Sequence, residues 1–215
     1  MSKPLLFGAD YSVYVRIVRL TLIEKGIDYD LVPVDVFAAG GPPASHFARQ
    51  PFGRIPAFEQ EDFSLYETSA IVRYVDESFA GPPLQPSEVK GRARMSQLMS
   101  IADSYLYPVL VWGVYVEQVS KPEDGREVDP SKLVASLKQP AVCLTAVETL
   151  IAAEDRWLCG GSLSLADIYV APMLDYFVRA PAAAELMATV PKLAEWWTRM
   201  AARPSMEATA PVAEV

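Results

Sequence analysis

The chain has 215 residues, 51% of them hydrophobic, enough apolar material to build a buried core in one large domain or two small ones. Its net charge of −8 is evenly spread, with 7 basic and 11 acidic side chains in residues 1–80 and 12 and 16 in the remainder. Neither part therefore offers the basic face that nucleic acid or an anionic membrane requires, and two cysteines with one histidine are too few for a disulfide framework or the usual metal centres.

The N-terminal MSKPLLFGADYS has only a brief apolar run, unlike a secretory signal, and no apolar stretch approaches the thickness of a bilayer. A soluble, cytoplasmic protein is expected. Residues 5–8 read as a short apolar strand. The loop 8–12 leads into a helix over 13–25, with Val15, Val18, Leu20, Leu22 and Ile23 for a buried face and Gly26 to end it. Residues 29–36 read as a second strand, in which Pro33 belongs on a sheet edge. Gly40-Gly41-Pro42-Pro43 marks a turn-rich connection, followed by a short helical piece near 46–49.

Residues 51–74, PFGRIPAFEQEDFSLYETSAIVRY, carry the strongest local signal. A turn at Phe52-Gly53 precedes a small hairpin, with strands over 55–58 and 63–65 and a polar turn at 59–62. A helix over 68–78 follows, with Ala70, Ile71, Tyr74 and Val75 at helical spacing. Pro56 either sits in a trans peptide outside the strand ladder or follows a cis peptide. In the cis case the Ile55 backbone turns outward and offers its N–H and C=O to an extended ligand. Glu67-Thr68 either caps the helix or uses its carboxylate, its hydroxyl and the free N–H groups to hold the ammonium and carboxylate of an amino-acid-like group.

The run Ala80-Gly81-Pro82-Pro83-Leu84-Gln85-Pro86 marks a linker, placed at residues 81–87, between a first domain over 1–80 and a second over 88–215. The second reads as helical throughout, over about 87–120, 131–154, 165–179 and 191–203, with Pro108 and Pro140 expected to kink the first two helices. Ser164-Leu165-Ala166-Asp167 spells a capping box, a folding element rather than a site. The tail from Pro204 is expected either to be disordered or to lie across a cleft.

Taken together, DYSVYVR before the first helix, PFGRIPAF, LYETSAI, the proline-rich linker and GGSLSLADI resemble, in that order and at those distances, a cytosolic glutathione transferase across both domains. The Ser12-to-Arg16 spacing and the Glu-Thr pair look most like the phi class and its serine-type bacterial relatives. The resemblance implies an α/β thioredoxin-like N-terminal domain with a mixed four-stranded sheet, and an all-α C-terminal domain that shapes the pocket for an electrophile. It also implies a homodimer with a role in detoxification. Glutathione would be a co-substrate, with no metal and no other cofactor, and the second substrate a small apolar electrophile.

Such an enzyme attacks as a thiolate, and a free thiol of pKa about 8.5 is mostly protonated at neutral pH. By resemblance Ser12 is the hydroxyl that stabilises the sulfur anion, with the Tyr11 phenol as the alternative. Arg16 is expected to add positive potential on the same face or, preferably, to serve a structural ion pair. The match places the Ile55 backbone beside Pro56 against the cysteinyl part of glutathione, Glu67 and Thr68 at the γ-glutamyl end, and Arg54 toward the glycyl end. His46 is the other residue considered for the glycyl carboxylate, though it reads better as a surface or packing histidine. Tyr105, Trp112 and Tyr115, with Pro108, form an aromatic stripe that would line the electrophile pocket or serve as core or dimer contact. Other glutathione reactions on the same scaffold (dehalogenation, ether cleavage, isomerisation, peroxide reduction) and a non-catalytic carrier are the rival readings. The absence of a cysteine at 11–14 disfavours disulfide reduction.

Overall fold

The structure, a computed structural model, describes residues 2–129 and 138–211. Contacts divide the chain into two units, one made of Met1–Pro83 with the chain from Pro204, the other of Leu84–Arg203.

The first unit is built on a four-stranded sheet in the order β2-β1-β3-β4, formed by β1 (Leu5–Gly8), β2 (Asp30–Pro33), β3 (Ala57–Gln60) and β4 (Phe63–Tyr66). β2 runs parallel to β1, while β3 and β4 run antiparallel to their neighbours. The edge position expected for Pro33 is where the sheet places it, and β2 is shorter than the expected strand. The first hairpin strand begins at Ala57 rather than at residue 55. Pro56 has no N–H to give a ladder, so Ile55-Pro56 stays outside it.

Helix α1 (Val13–Glu24) starts at Ser12 and closes at Gly26, whose φ of +70° and N–H bond to the Ile23 carbonyl complete the expected C-terminal turn. Gly8 permits close packing of α1 on β1, since a Cβ there would meet Val15 Cγ2 at 2.3 Å. In α2 (Thr68–Ser78) the buried stripe is Thr68, Ile71, Val72 and Val75. The expected Ala70 is instead exposed, because the i, i+3, i+4, i+7 pattern runs from Thr68.

The far ends of α1 and α2 are joined by a buried ion pair not foreseen in the sequence. Lys25 Nζ lies 3.0 Å from Asp76 Oδ1 and also donates to the carbonyls of Asp76 (2.9 Å) and Pro82 (3.2 Å). Removing one partner of such a pair strands the other charge. Lys25→Ala is expected to cost about 3 kcal/mol in a denaturant titration, and a loss below about 1 kcal/mol would place the pair among weak surface contacts.

The tail does not behave as a free end. Helix α8 (Pro204–Ala208) packs on α1. Arg16, 2% exposed, donates from Nε to Thr209 Oγ1 (3.2 Å) and from Nη2 to the Met206 carbonyl (3.0 Å). The Ser205 hydroxyl donates to Glu24. The expected C-terminal boundary of the second domain therefore moves: its last segment joins the first unit because a buried guanidinium needs acceptors and the tail supplies them. Residues 212–215 lie outside the described part.

In the second unit α3 (Val89–Ile101) continues into a wider, π-helical segment, Ala102–Ser120, whose end is marked by an i→i+5 bond from the Lys121 N–H to the Val116 carbonyl. Pro108 sits inside this segment, and buried residues recur every fourth position at Ala102, Leu106, Leu110 and Val114. Helices α4 (Lys138–Leu150), α5 (Leu165–Phe177), α6 (Ala183–Ala188) and α7 (Pro191–Ala201) follow. The first part of the expected 131–154 helix lies outside the described residues, and α6 and α8 have no counterpart in the sequence expectations.

Every residue of α5 except Asp175 is buried, which makes it the axis of the unit. Its N-terminus is held as the capping box predicts, and more strongly. The fully buried Asp167 carboxylate accepts from the Ser164 N–H (2.8 Å) and hydroxyl (2.6 Å), the Leu158 N–H (2.8 Å) and Trp196 Nε1–H (2.7 Å). Burial pushes its pKa up, against the pull of these four donors toward the ionised form.

Candidate functional site

Strand register brings the predicted residues of the first unit to one end of the sheet. Val32, Phe7, Ala57 and Tyr66 form a row across all four strands. One step beyond this row lie the loop to Ser12 after β1, the Ile55-Pro56 pair before β3, and Glu67 after β4. Adjacent strands are about 4.8 Å apart, so these three elements are neighbours on a scale suited to one extended small peptide.

Ser12 occupies the N-cap of α1 in extended conformation, with its Oγ accepting from the Val15 N–H at 3.3 Å. A capping oxygen uses a lone pair, so the hydroxyl hydrogen stays available to a second acceptor. Tyr11, the alternative donor, is committed elsewhere: its phenol donates to Asp35 Oδ1 at 2.7 Å, and its ring packs on Phe37 with centroids 5.6 Å apart. Asp35 also accepts from the Phe37 N–H at 2.8 Å. Burial, reinforced by the bond to Asp35, raises the Tyr11 pKa, and that same bond, with the Phe37 N–H, lowers that of Asp35. The partnership was not visible in the sequence, where the two residues lie far apart. Arg16 points into the contact with α8, which assigns it to holding α1 rather than to electrostatics at Ser12.

The Ile55-Pro56 peptide is cis, and Ile55 forms no backbone–backbone hydrogen bond to another described residue. The turn before it is held from beneath by two buried side chains. Gln50 Oε1 accepts from the N–H groups of Phe52 (2.7 Å) and Arg54 (3.1 Å), and His46 Nε2 lies 2.7 Å from the Arg54 carbonyl oxygen. His46 is buried, 2% exposed, and does not reach the surface as a ligand for a carboxylate. Gln50 was missed. Its one sequence signal was a polar residue directly ahead of a Pro-Phe-Gly turn. Arg54 itself is exposed.

Glu67 has φ +70°, a left-handed conformation that a non-glycine residue adopts at a cost of about 1–3 kcal/mol. Its side chain makes no capping bond and is exposed, while its carbonyl accepts from Ala70 and Ile71. The N–H groups of Thr68 and Ser69 are left as open donors at the positive end of α2. A carboxylate beside open N–H groups is the donor–acceptor pair that a zwitterionic amino-acid head requires.

The three aromatics proposed for the second substrate do not converge. Tyr105 borders a shallow cleft of about 310 Å³ with Val109, Lys138, Gln139, Val142 and Cys143. Trp112 stacks edge-on with Tyr107, their centroids 6.4 Å apart, and Tyr115 packs against Tyr176 at 4.6 Å. The stripe was read at α-helical spacing, and the wider turn of Ala102–Ser120 breaks that register. Neither thiol is activated as a thiolate. Burial raises the Cys143 pKa and pushes that of Cys159 up to about 12, so both stay protonated at neutral pH. Among the described residues no group of His, Cys, Asp and Glu could hold a metal ion.

Comparison with known proteins gives this geometry its context. Residues 6–83 match the glutathione S-transferase N-terminal domain and residues 119–204 the glutathione S-transferase C-terminal domain. Glutathione S-transferase F11 of Arabidopsis thaliana is 30% identical over 202 residues, covering 93% of this chain and 94% of its own. A glutathione S-transferase of Hyoscyamus muticus is likewise 30% identical over 93% of this chain and 94% of its own. Among solved structures, glutathione S-transferase III in apo form matches with a TM-score of 0.85, 29% identity and 100% coverage of both chains. Glutathione transferase F2 from Populus trichocarpa matches with a TM-score of 0.85 and 25% identity over 96% of each chain. Strand register, family match and superposition lead to one conclusion: this chain belongs to the glutathione S-transferase family, among its phi-like members.

Proposed function

We propose that the chain binds glutathione along this end of the sheet, keeps its sulfur ionised with the Ser12 hydroxyl, and transfers it to a small apolar electrophile. The observation that carries the reading is the Ser12 hydrogen-bond pattern, with Oγ accepting from Val15 and its proton unspent. In this reading the Glu67 carboxylate takes the ammonium of the γ-glutamyl head, and Thr68 with the first N–H groups of α2 takes its carboxylate. The Ile55 backbone beside Pro56 pairs with the cysteinyl peptide, and Arg54 meets the glycyl carboxylate.

Ser12 remains protonated throughout. Its O–H strengthens its bond as the thiol loses a proton to water, so the anion gains more than the neutral thiol and the thiol pKa falls. The sulfur lone pair then forms the carbon–sulfur bond, and the displaced leaving group carries away the electron pair, or an activated double bond takes up electrons and a proton. Glutathione is consumed as a co-substrate, and no step requires a metal. The exposed ring of Tyr105, on a cleft bordered by Val109 and Val142, supports an apolar acceptor.

The exposed Phe52 and Tyr66, in edge-to-face contact, support a homodimer. Two unpaired cysteines support a cytoplasmic setting. Among the described residues no helix is long and apolar enough to cross a membrane.

Retention on immobilised glutathione together with turnover of a chloroaromatic acceptor is the expected result. Retention without turnover would make the chain a carrier or a specialised enzyme, and the absence of both retention and turnover would reject the reading. A companion prediction separates the two hydroxyls. Tyr11→Phe is expected to change kcat/KM less than about threefold, because the phenol proton already belongs to Asp35. The raised Tyr11 pKa keeps the phenol protonated beyond its ordinary value of about 10, so the rising limb of the pH–rate profile should not move in this variant. A shift of that limb to higher pH would make Tyr11 the sulfur donor.

A further inference from the structure

We infer that His46, the buried and only histidine, is a positioning residue for glutathione, acting through the Arg54–Ile55 peptide. This rests on the proposed pairing of the Ile55 backbone with the cysteinyl part of the ligand.

A carbonyl oxygen only accepts, so at 2.7 Å from the Arg54 oxygen His46 Nε2 carries the proton. The Arg54–Ile55 peptide is trans, and in a planar trans peptide the C=O and the next N–H point in opposite directions. Holding the Arg54 oxygen down onto the buried imidazole therefore turns the Ile55 N–H the other way. Among the described residues no backbone–backbone bond is spent at Ile55.

The peptide on the other side of Arg54 is held as well, since the Arg54 N–H donates to Gln50 Oε1 at 3.1 Å. Both holding side chains come from one short segment. The His46 carbonyl accepts from the N–H groups of Arg49 and Gln50, each at 2.9 Å, which ties the base of the imidazole to the base of the amide. With both neighbouring peptides fixed, Arg54 has little backbone freedom left, and the exit direction of the chain toward the cis peptide is set from below. A packing role alone would need only an apolar ring of the same volume. A directed Nε2–H aimed at a single carbonyl is the feature that packing does not require.

The test compares His46→Leu, which fills space without a donor, His46→Gln, whose amide nitrogen reaches the place of Nε2, and His46→Asn, whose amide stops short. Glutathione binding is measured by calorimetry on the full-length protein, with kcat at saturating glutathione and the pKa of the bound thiol measured alongside. His46→Leu and His46→Asn are expected to weaken glutathione binding about tenfold, leaving kcat and the thiol pKa within about twofold and a few tenths of a unit of the parent. His46→Gln is expected to restore binding. Should the leucine variant fail to fold, the asparagine–glutamine pair decides.

Equal affinity in all folded variants overturns the proposal, and so does a joint loss of affinity, kcat and thiol ionisation that glutamine does not rescue, which marks general loosening. Absence of glutathione binding in the parent protein rejects the proposed function itself. Binding in the parent with unchanged binding in the variants rejects only the role of His46.

Discussion

Ser12→Ala is expected to lower kcat/KM for glutathione conjugation about a hundredfold, the scale seen when one preorganised donor is removed from a developing anion. The loss should appear as a shift of the rising limb of the pH–rate profile to higher pH, because without the donor more alkali is needed to ionise the bound thiol. A second variant separates donation from helix capping. Ser12 Oγ accepts from the Val15 N–H, so alanine also removes a cap, at a cost of about 1 kcal/mol. Ser12→Asp keeps a capping oxygen and brings no proton at neutral pH. It is expected to fold at least as stably as the alanine variant and to be no more active. Ser12→Thr keeps both functions and should retain most of the activity. An aspartate variant with parental turnover would remove Ser12 from the chemistry and leave it as a cap.

Asp167→Ala is expected to have the largest effect on stability, about 3–5 kcal/mol, or a fall in Tm of roughly 10 °C for a chain of this size. The carboxylate is fully buried and serves the N–H groups of Ser164 and Leu158 and the indole N–H of Trp196, all of which would be left without an acceptor. Ser164→Ala loses only the hydroxyl contact and should cost about 1–2 kcal/mol. Thermal melts of the two variants beside the parent check the ordering. Equal effects would mean that the helix cap, and not the link from α5 to Trp196, carries the stabilisation.

Local chemistry made much of this molecule legible from sequence. The capping box at Ser164, the glycine that closes α1, the edge position of Pro33 and the helix beginning at Thr68 all follow from interactions within a few residues, and each was placed by residue type alone. The family resemblance grouped Ser12, Ile55 and Glu67, and strand register puts all three at one end of the sheet. What escaped were partnerships across long separations. Tyr11 finds Asp35, Lys25 finds Asp76 and Arg16 finds the tail because the fold brings them together, and nothing in the spacing of those residues announces it. The roles of Gln50 and His46 beneath the turn escaped for a related reason, since their targets are backbone atoms that carry no sequence signature.

The aromatic stripe, read as pocket lining or as core or dimer contact, is spread by the helix geometry. Tyr105, Trp112 and Tyr115 were aligned on a 3.6-residue turn, and the wider winding from Ala102 to Ser120 separates them. The tail illustrates a compositional trap. Alanine, proline and glutamate from residue 204 onward left the tail open between disorder and a place across a cleft, and a buried arginine on α1 gives that segment a reason to dock.

The positive φ at Glu67 ties fold to function most closely. A non-glycine residue held in the left-handed region at the junction of β4 and α2 is a local cost. In the proposed function it sets the Glu67 carboxylate beside the open N–H groups of α2, where both can reach one amino-acid head.

The most direct test is the ionisation of bound glutathione, followed by the ultraviolet absorbance of the thiolate as pH is raised in the parent protein and in Ser12→Ala. In the parent the thiol is predicted to titrate at least one unit below its free value of about 8.5, and in Ser12→Ala to return about 1–2 units toward it. A bound thiol that titrates at its free value in the parent, or one equally acidic in both proteins, would contradict a sulfur held ionised by the Ser12 hydroxyl.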